Sequence, residues 1–492
     1  MAIATTTVSA NVPSLEGSRD PHRAVPLVVD VDGTLIKTDF LFEALLQLAA
    51  RHPFELWRVP LWLLKGKAGF KAALAAFGDP GTQSVPLREE TVVLIDAARA
   101  AGRPIYLASA SDRRFVDALA ERLGCIAGVF ASDDTVNLSG KAKAERLVRE
   151  FGAGGFDYIA DAEVDFHVWR SARKVLALTH GNAFERRLLK AFPQAEIVAR
   201  PRPQLREYVR ALRPHQWAKN ALVFLPLVAG HFFDTPSLTA ATLAFICFCM
   251  AASSAYLIND LLDLPSDRDH PRKRMRPFAA GSVALQHGIA LAVVLVAGAI
   301  AIAFTLPVRF LEVLCIYWVT TLAYSTVLKR KIVLDVVTLG GLYALRVLAG
   351  VAALETMYSQ WLLMFCLFLF LALAIVKRCS ELIARENEGK GAPPGRSYRF
   401  EDLRTLFAFG AAAGYGAVFV VTLYLASPEV RALYDEPNRL WLVCPILLYW
   451  ITRVFMIANR GELHDDPLVF ALTDRASWAS AACVVLVLAL AV

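Results

Sequence analysis

Two groups of carboxylates in this 492-residue chain have spacings that chemistry can use. The first is Asp30 and Asp32 in Val-Val-Asp30-Val-Asp32-Gly33-Thr34, where an apolar run ends in two acids and a glycine that permits a tight turn. At the end of a buried strand such a pair can divide a phosphoryl transfer. One carboxylate attacks phosphorus to form an aspartyl-phosphate, and the other protonates the departing oxygen. Further along, Leu107-Ala-Ser109 offers a hydroxyl and backbone N–H groups to a phosphate, and Gly140-Lys-Ala-Lys143 places a cation at a helix start. Asp161-Ala-Glu-Val-Asp165 supplies hard oxygen ligands suited to Mg2+. The second group is Tyr256-Leu-Ile-Asn259-Asp260-Leu-Leu-Asp263-Leu-Pro-Ser-Asp267-Arg268. Asn259, Asp263 and Asp267 fall at i, i+4 and i+8, so a helix puts them on one face with Asp260 beside them. Carboxylates clustered against an apolar span repel one another unless a cation joins them, and Mg2+ carrying a diphosphate meets that need.

The elements that position these residues follow from composition. Hydrophobic residues make up 56% of the chain and the mean hydropathy is +0.45, which excludes a disordered protein, a disulfide-stapled miniprotein and an ordinary soluble enzyme. Residues 25–200 alternate β-rich runs (Val25–Val29, Pro104–Ser109, Ile126–Ser132, Phe156–Ala160, Val175–Thr179) with helical segments such as Arg113–Leu123 and Lys143–Phe151, the pattern of a parallel α/β sheet. Residues 41–100 read as a helical insertion after the first strand. Within it, Phe54–Leu64 carries aromatic and basic residues suited either to a packed cap or to the bilayer surface. The first 24 residues lack both a cationic start and an apolar core, so no secretory signal is expected and the soluble part is expected to stay in the cytoplasm.

From about residue 220 the chain becomes a series of apolar runs near 221–233, 238–258, 284–306, 308–327, 332–353, 358–376, 404–426, 440–457 and 476–492, most approaching the length that crosses hydrocarbon. With a cytoplasmic N-terminus, nine crossings leave 18 Lys and Arg in the inward loops and 3 in the outward ones, which fixes the orientation. The basic excess, 27 Lys and Arg against 21 Asp and Glu in residues 201–492, therefore reads as membrane topology and attraction to anionic lipid, and no nucleic-acid partner is expected. The eight cysteines show no metal-ligand or disulfide spacing and read as small hydrophobes.

Residues 25–180 resemble the haloacid dehalogenase superfamily of phosphatases, in the branch with a helical cap between the first and second motifs. That resemblance implies Asp30 as nucleophile, Asp32 as general acid/base, Ser109 and Lys143 as phosphate ligands, and Asp161 as a Mg2+ ligand supported by Asp165. Lys141 competes with Lys143, and the family's Gly-x-x-Lys spacing favours Lys143. Ala160 stands where that family often has glycine.

The stretch Asn259–Asp267 resembles the first signature of the UbiA superfamily of intramembrane prenyltransferases, N-D-x-x-D-x-x-x-D. Arg213-Pro-His-Gln216-Trp-Ala-Lys219-Asn220, Arg272-Lys-Arg-Met-Arg-Pro-Phe-Ala-Ala-Gly281, Tyr324-Ser-Thr-Val-Leu-Lys329, Asp335 with Arg346, and Lys377-Arg378-Cys-Ser-Glu381 look like the branch of decaprenyl-phosphate phosphoribosyltransferases. Aromatic prenyltransferases of the superfamily carry a second aspartate motif after the sixth helix. Here that loop holds Lys377, Arg378, Arg385, Lys390, Arg396 and Arg399 instead, favouring direct phosphate binding. The resemblance implies Mg2+ held by Asn259, Asp260, Asp263 and Asp267, phosphate groups held by Lys219, Lys329, Lys377 and Arg378, and phosphoribosyl pyrophosphate and a polyprenyl phosphate as substrates.

The expected architecture is a flexible segment 1–24, a Rossmann-like α/β domain over 25–200 with its cap at about 41–100, and an all-α polytopic domain of about nine transmembrane helices over 201–492. The expected function is transfer of phosphoribose to the lipid phosphate at the inner membrane, with the α/β domain removing the 5-phosphate of the product. Two alternatives remain open at this point. One is prenyl transfer to an aromatic or other small acceptor, and the other is a non-catalytic anchor or transporter carrying a phosphatase.

Overall fold

The computed structural model describes residues 24–78, 81–133, 135–201, 204–356, 360–389, 391, 397–431, 434–463 and 466–491; Lys390, Arg396 and all but the last residue of the 1–24 segment lie outside these. The chain forms two compact units, residues 1–212 with 260–291, and residues 213–259 with 292–492. The first unit thus takes in the segment after the second apolar run.

The first unit is built on a six-stranded parallel sheet in the order β3-β2-β1-β4-β5-β6. Its strands are β1 Leu27–Val29, β2 Ile105–Asp112, β3 Gly128–Ser132, β4 Asp157–Ala160, β5 Lys174–Leu178 and β6 Glu196–Ala199. β1 is entirely buried, as expected for a short aliphatic run in a parallel sheet covered on both faces. β1 pairs with β2 on one side and β4 on the other, with Val28 opposite both Tyr106 and Tyr158. The chain winds outward from β1 to β3 and then returns to lay β4 on β1's other edge. The carboxyl ends of β1 and β4 therefore bound the crevice where open α/β sheets place ligands. Asp30 and Asp161 are the residues that follow those two strands.

The five expected strands and the helix Arg113–Leu123 are present, and Lys141–Phe151 starts two residues before the expected helix. β6 was not anticipated. The insertion is helical as expected, beginning with α1, Phe40–Arg51, which Asp39 caps by accepting a hydrogen bond from the Leu41 amide at 2.7 Å. Within Phe54–Leu64 only Trp62 is buried, while Phe54 is 90% and Leu64 84% exposed, so this segment does not pack inward as a unit.

Across the chain, seven described helices are long and apolar enough to cross a membrane, beginning with Thr235–Leu262 and Leu285–Ala303 and ending with Pro437–Asn459. The expected first span differs. Residues Pro214–Phe224 form a 3-10 helix and Leu225–Ala229 one short α-helix, because Pro214 and Pro226 restrict the segment to short helical pieces. The expected last span is the 17-residue helix Arg475–Ala491, shorter than the other seven. Within the second unit, Phe248, Phe310, Tyr317 and Leu342 pack into a core with the small residues Ala244, Ala299 and Ala349.

Candidate functional site

At the crevice of the first unit, Asp30 is buried and its Oδ1 accepts a hydrogen bond from Lys143 Nζ at 2.6 Å. The same ammonium donates to Tyr158 OH at 3.0 Å and to Asp165 Oδ1 at 3.1 Å, and Tyr158 OH donates to Asp165 at 2.8 Å. Thr34 Oγ1 lies 3.3 Å from Asp30 Oδ2 and 3.1 Å from Asp161 Oδ1. Asp161 Oδ2 is also 2.8 Å from His180 Nε2. Of the two candidate lysines, Lys143 is the one that enters the site; Lys141 is exposed beside Glu145.

Three acids, Asp30, Asp161 and Asp165, thus act electrostatically on a region holding one buried ammonium. Burial pushes the Asp30 carboxyl well above the usual carboxylate range; Lys143 opposes this, and Asp165 and Asp161 add to it. Burial alone would lower the Lys143 ammonium, but Asp165 and Asp30 hold it above its ordinary value. The excess of negative charge and the pair of hard oxygen donors on Asp30 and Asp161 fit a divalent cation that keeps several waters. Among the described residues, no three His, Cys, Asp or Glu side chains form a ready-made metal cluster. Asp165, expected to support the metal site, accepts hydrogen bonds from Lys143 and Tyr158.

Asp32 faces the second strand. Its Oδ2 accepts from Ser109 Oγ at 2.9 Å and Ser111 Oγ at 2.7 Å, and its Oδ1 from the Phe40 amide at 2.9 Å. Gly33 makes the turn between the acids with φ +75°, and a Cβ there would stand 2.3 Å from Asp161 Oδ2. Only glycine allows both the backbone angle and the approach of Asp161. The cap adds Lys71, whose Nζ donates to Ala110 O at 2.6 Å and Asn137 Oδ1 at 3.2 Å. Burial lowers the Lys71 ammonium below its ordinary value against the opposing pull of Asp32 and Asp39.

The second acidic group is also within reach of a cation, this time from the protein. Arg276 Nη1 lies 3.2 Å from Asp260 Oδ1 and 2.6 Å from Asp267 Oδ2. Asp267 Oδ1 is buried without a hydrogen-bond partner. Burial raises the Asp267 carboxyl above its ordinary value despite Arg276. Lys273 Nζ lies 3.9 Å from Asp267 Oδ1, and a buried carboxylate oxygen without a hydrogen bond beside a second acid suits a divalent metal. The reading of one unbroken helical face is corrected. The helix ends at Leu262, Asp263 is the hinge (φ −92°, ψ 10°), and a second helix runs Leu264–Asp269 with Pro265 in its first turn. Pro265 has no amide proton to continue the first helix.

The expected phosphate-binding residues of the second unit make two separate sets of contacts. Lys219 Nζ and Lys377 Nζ both donate to Asp466 Oδ2, at 2.8 and 2.7 Å. Arg378 is committed to two acids and a phenol: Nε donates to Asp335 Oδ2 at 2.5 Å, Nη1 to Glu381 Oε2 at 2.6 Å, and Nη2 to Tyr324 OH at 2.6 Å. An anion reaching Arg378 competes with these partners for its donors. Arg346 donates to Asn220 Oδ1 at 2.8 Å and Tyr317 OH at 2.9 Å. Lys329 stands half-buried in the 3-10 turn Leu328–Arg330.

Sequence reasoning missed Thr34, Ser111, Tyr158, His180 and Asp466. Ser111 had a signal, since it points to the same side of β2 as Ser109, two residues earlier. Tyr158 reads as a core aromatic. Asp466 is 247 residues from one of its lysines and 89 from the other, so no local pattern ties it to them.

Residues 221–480 match the model of the UbiA prenyltransferase family. The uncharacterized protein y4nM of Sinorhizobium fredii is 35% identical over 93% of this chain and 89% of its own length. The decaprenyl-phosphate phosphoribosyltransferase of Mycolicibacterium smegmatis is 37% identical over 54% of this chain and 86% of its own length. Among solved structures, a UbiA homolog from Archaeoglobus fulgidus bound to DMAPP and Mg2+ is 19% identical, covering 57% of this chain and 99% of that one with a TM-score of 0.45. With more than half of its length inside the family match, the chain belongs to the UbiA prenyltransferase family.

Proposed function

We propose that the chain transfers phosphoribose from phosphoribosyl pyrophosphate to a polyprenyl phosphate at the cytoplasmic face of the inner membrane, and that its first unit then removes the 5-phosphate of the product. The observation that carries the transfer is the pair of amines, Lys219 and Lys377, that share one carboxylate oxygen in a family whose aromatic-substrate members were expected to carry a second aspartate motif in that loop. Two adjacent ammonium groups suit a lipid phosphate directly. The name of the M. smegmatis relative supports a phosphoribosyl group as what is transferred and a polyprenyl phosphate as its acceptor.

In this reading Asn259, Asp260, Asp263 and Asp267 would hold Mg2+, which supplies positive charge to the leaving pyrophosphate. Lys219 and Lys377 bind the lipid phosphate, whose free oxygen is the nucleophile toward ribose C1. That oxygen attacks as the C1–O bond to pyrophosphate breaks, and no general base is needed because the nucleophile is already anionic. In the first unit Asp30 Oδ attacks the 5-phosphorus, Lys143 binds the phosphoryl oxygens, and Asp32 gives a proton to the departing ribose oxygen. Water then hydrolyses the aspartyl-phosphate, with Asp32 taking the proton back. Asp30 and Asp161 would hold a second Mg2+. The inward orientation of both sites rests on the lysine and arginine bias of the loops.

The test uses full-length protein with radiolabelled phosphoribosyl pyrophosphate, a polyprenyl phosphate and Mg2+, resolved by lipid chromatography. Wild type is expected to give lipid ribose, Asp30→Asn lipid phosphoribose, and Asp263→Asn neither. Absence of labelled lipid from wild type whose phosphatase is active overturns the transfer reading and puts prenyl transfer to a small acceptor in its place.

A further inference from the structure

The cap helix α1 carries an acid that neither set of reacting groups uses. Glu43 faces inward and accepts two hydrogen bonds from Arg268, Nη2 to Oε1 at 2.5 Å and Nη1 to Oε2 at 3.2 Å. The two side chains are 1% and 4% exposed. Arg268 Nε also donates to Ala279 O at 3.3 Å, so one guanidinium ties α1 to both arms of the segment that follows the aspartates.

A buried ion pair is weak ground for a stability argument, because withdrawing two charges from water offsets most of their attraction. What a bidentate pair fixes is geometry, since the planar fork admits one orientation. The surroundings are equally close. Leu46 and Gln47 of α1 face Leu261, Leu264 and Pro265 across one small cleft, and Gly281, at φ +68°, passes so near Lys37 that a Cβ would lie 2.6 Å from the lysine's own. The element held in this way is the helix Leu264–Asp269. Arg268 directly follows Asp267, so successive side chains on that helix point in different directions: Arg268 is gripped by Glu43, while Asp267 holds Arg276 through Oδ2 and keeps Oδ1 without a hydrogen bond, 3.9 Å from Lys273 Nζ.

We propose that Glu43 is a positioning residue for the transferase: through Arg268 it fixes the Leu264–Asp269 helix and thereby the Asp267 carboxylate that receives the Mg2+-bound pyrophosphate of the donor. This rests on the assignment of Asp267 to that metal under the proposed function. The cap therefore serves the phosphatase crevice on one side and the diphosphate-binding turn on the other.

The experiment measures binding of inorganic pyrophosphate with Mg2+ to full-length wild type, Glu43→Gln and Asp267→Asn by calorimetry. It is paired with the KM for phosphoribosyl pyrophosphate, hydrolysis of p-nitrophenyl phosphate and the melting temperature of each variant. Glu43→Gln is expected to weaken Mg2+-pyrophosphate binding and raise the KM by about tenfold, as loss of a residue that orients a metal ligand does, with kcat and p-nitrophenyl phosphate hydrolysis little changed. Arg268→Lys, which keeps the charge but not the fork, carries the same expectation should Glu43→Gln fail to fold. Unaltered pyrophosphate affinity in a folded variant overturns the inference, as does a parallel fall of both activities with the melting temperature. If wild type binds Mg2+-pyrophosphate with Asp267-dependence yet makes no lipid phosphoribose, the substrate assignment falls and the positioning role is still decided by the binding data. If wild type does not bind it at all, both fall.

Discussion

A single carboxylate oxygen, Asp466 Oδ2, joins Lys219 and Lys377, 2.8 Å from one ammonium and 2.7 Å from the other. Burial would raise the Asp466 carboxyl, but the two lysines outweigh it and hold the group well below the usual carboxylate range. A depressed acid contributes stability that is present above its unfolded pKa and is lost as pH falls through the folded value, so this contact should persist through mild acid. Asp466→Asn leaves two ammonium groups facing each other and is expected to destabilise the protein by about 3 kcal/mol, the scale for removing one member of a buried pair. Inorganic phosphate should restore more melting temperature to Asp466→Asn than it adds to wild type, because the anion takes the carboxylate's place. Equal phosphate shifts in both proteins would argue against a phosphate-sized anion between these lysines.

Asp39 gives a pH signature in the other unit. Burial, followed by repulsion from Asp32, raises its carboxyl from 3.8 to about 7. The folded protein keeps this proton up to about pH 7, whereas the unfolded chain releases it near pH 4, so the stabilisation is complete below about pH 4 and lost as pH rises through 7. Asp39→Asn keeps the helix cap on the Leu41 amide and removes the repulsion. It is expected to raise the melting temperature most at pH 8, less at pH 5, and to leave it nearly unchanged below about pH 4. A gain of equal size at all pH values would mean that the titration of Asp39 is not the cause.

Arg276 occupies the space between Asp260 and Asp267 that a cation is suited to fill. Arg276→Gln should therefore tighten binding of Mg2+ alone, because the internal counter-charge is gone, while weakening retention of pyrophosphate, which loses a cationic partner. Calorimetric titration of Mg2+ with and without pyrophosphate separates the two effects. Weaker binding of Mg2+ alone would show that Arg276 holds the acids in place rather than competing for them.

Much of this was legible in the sequence where the signal is local. Val25–Val29 and the other apolar runs mark strands because a parallel sheet buries both faces, and Arg113–Leu123 announces its helix by the spacing of Phe115, Val116 and Leu119 against charged neighbours. β6 was illegible because Glu-Ile-Val-Ala is short and half-buried at an edge. Asp30, Asp32, Ser109, Lys143 and Asp161 meet because each leaves the same end of the sheet or its helices, a placement that topology dictates. Glu43 with Arg268 and Lys219 with Asp466 lie 225 and 247 residues apart, and only the folded chain pairs them. The Asn259–Asp267 repeat was read as one helix because its four-residue period is helical, and Pro265 overrode that period.

Gly33 offers the sharpest separation of the two proposed reactions. Its φ of +75° disfavours any side chain, and a methyl group there would meet Asp161 Oδ2 at 2.3 Å. Gly33→Ala should drive Asp161 away from Asp30 and Thr34 without touching the residues around Asp267 or Lys219. Displacing an active-site group by about 1 Å typically lowers the rate about a hundredfold, so p-nitrophenyl phosphate hydrolysis is expected to fall by that order. Transfer of phosphoribose to the lipid should continue at its wild-type rate, and the phosphorylated lipid should accumulate as it does in Asp30→Asn. If Gly33→Ala instead abolishes transfer and leaves hydrolysis intact, Asp161 has no part in the hydrolytic site and the division of labour between the two units is reversed.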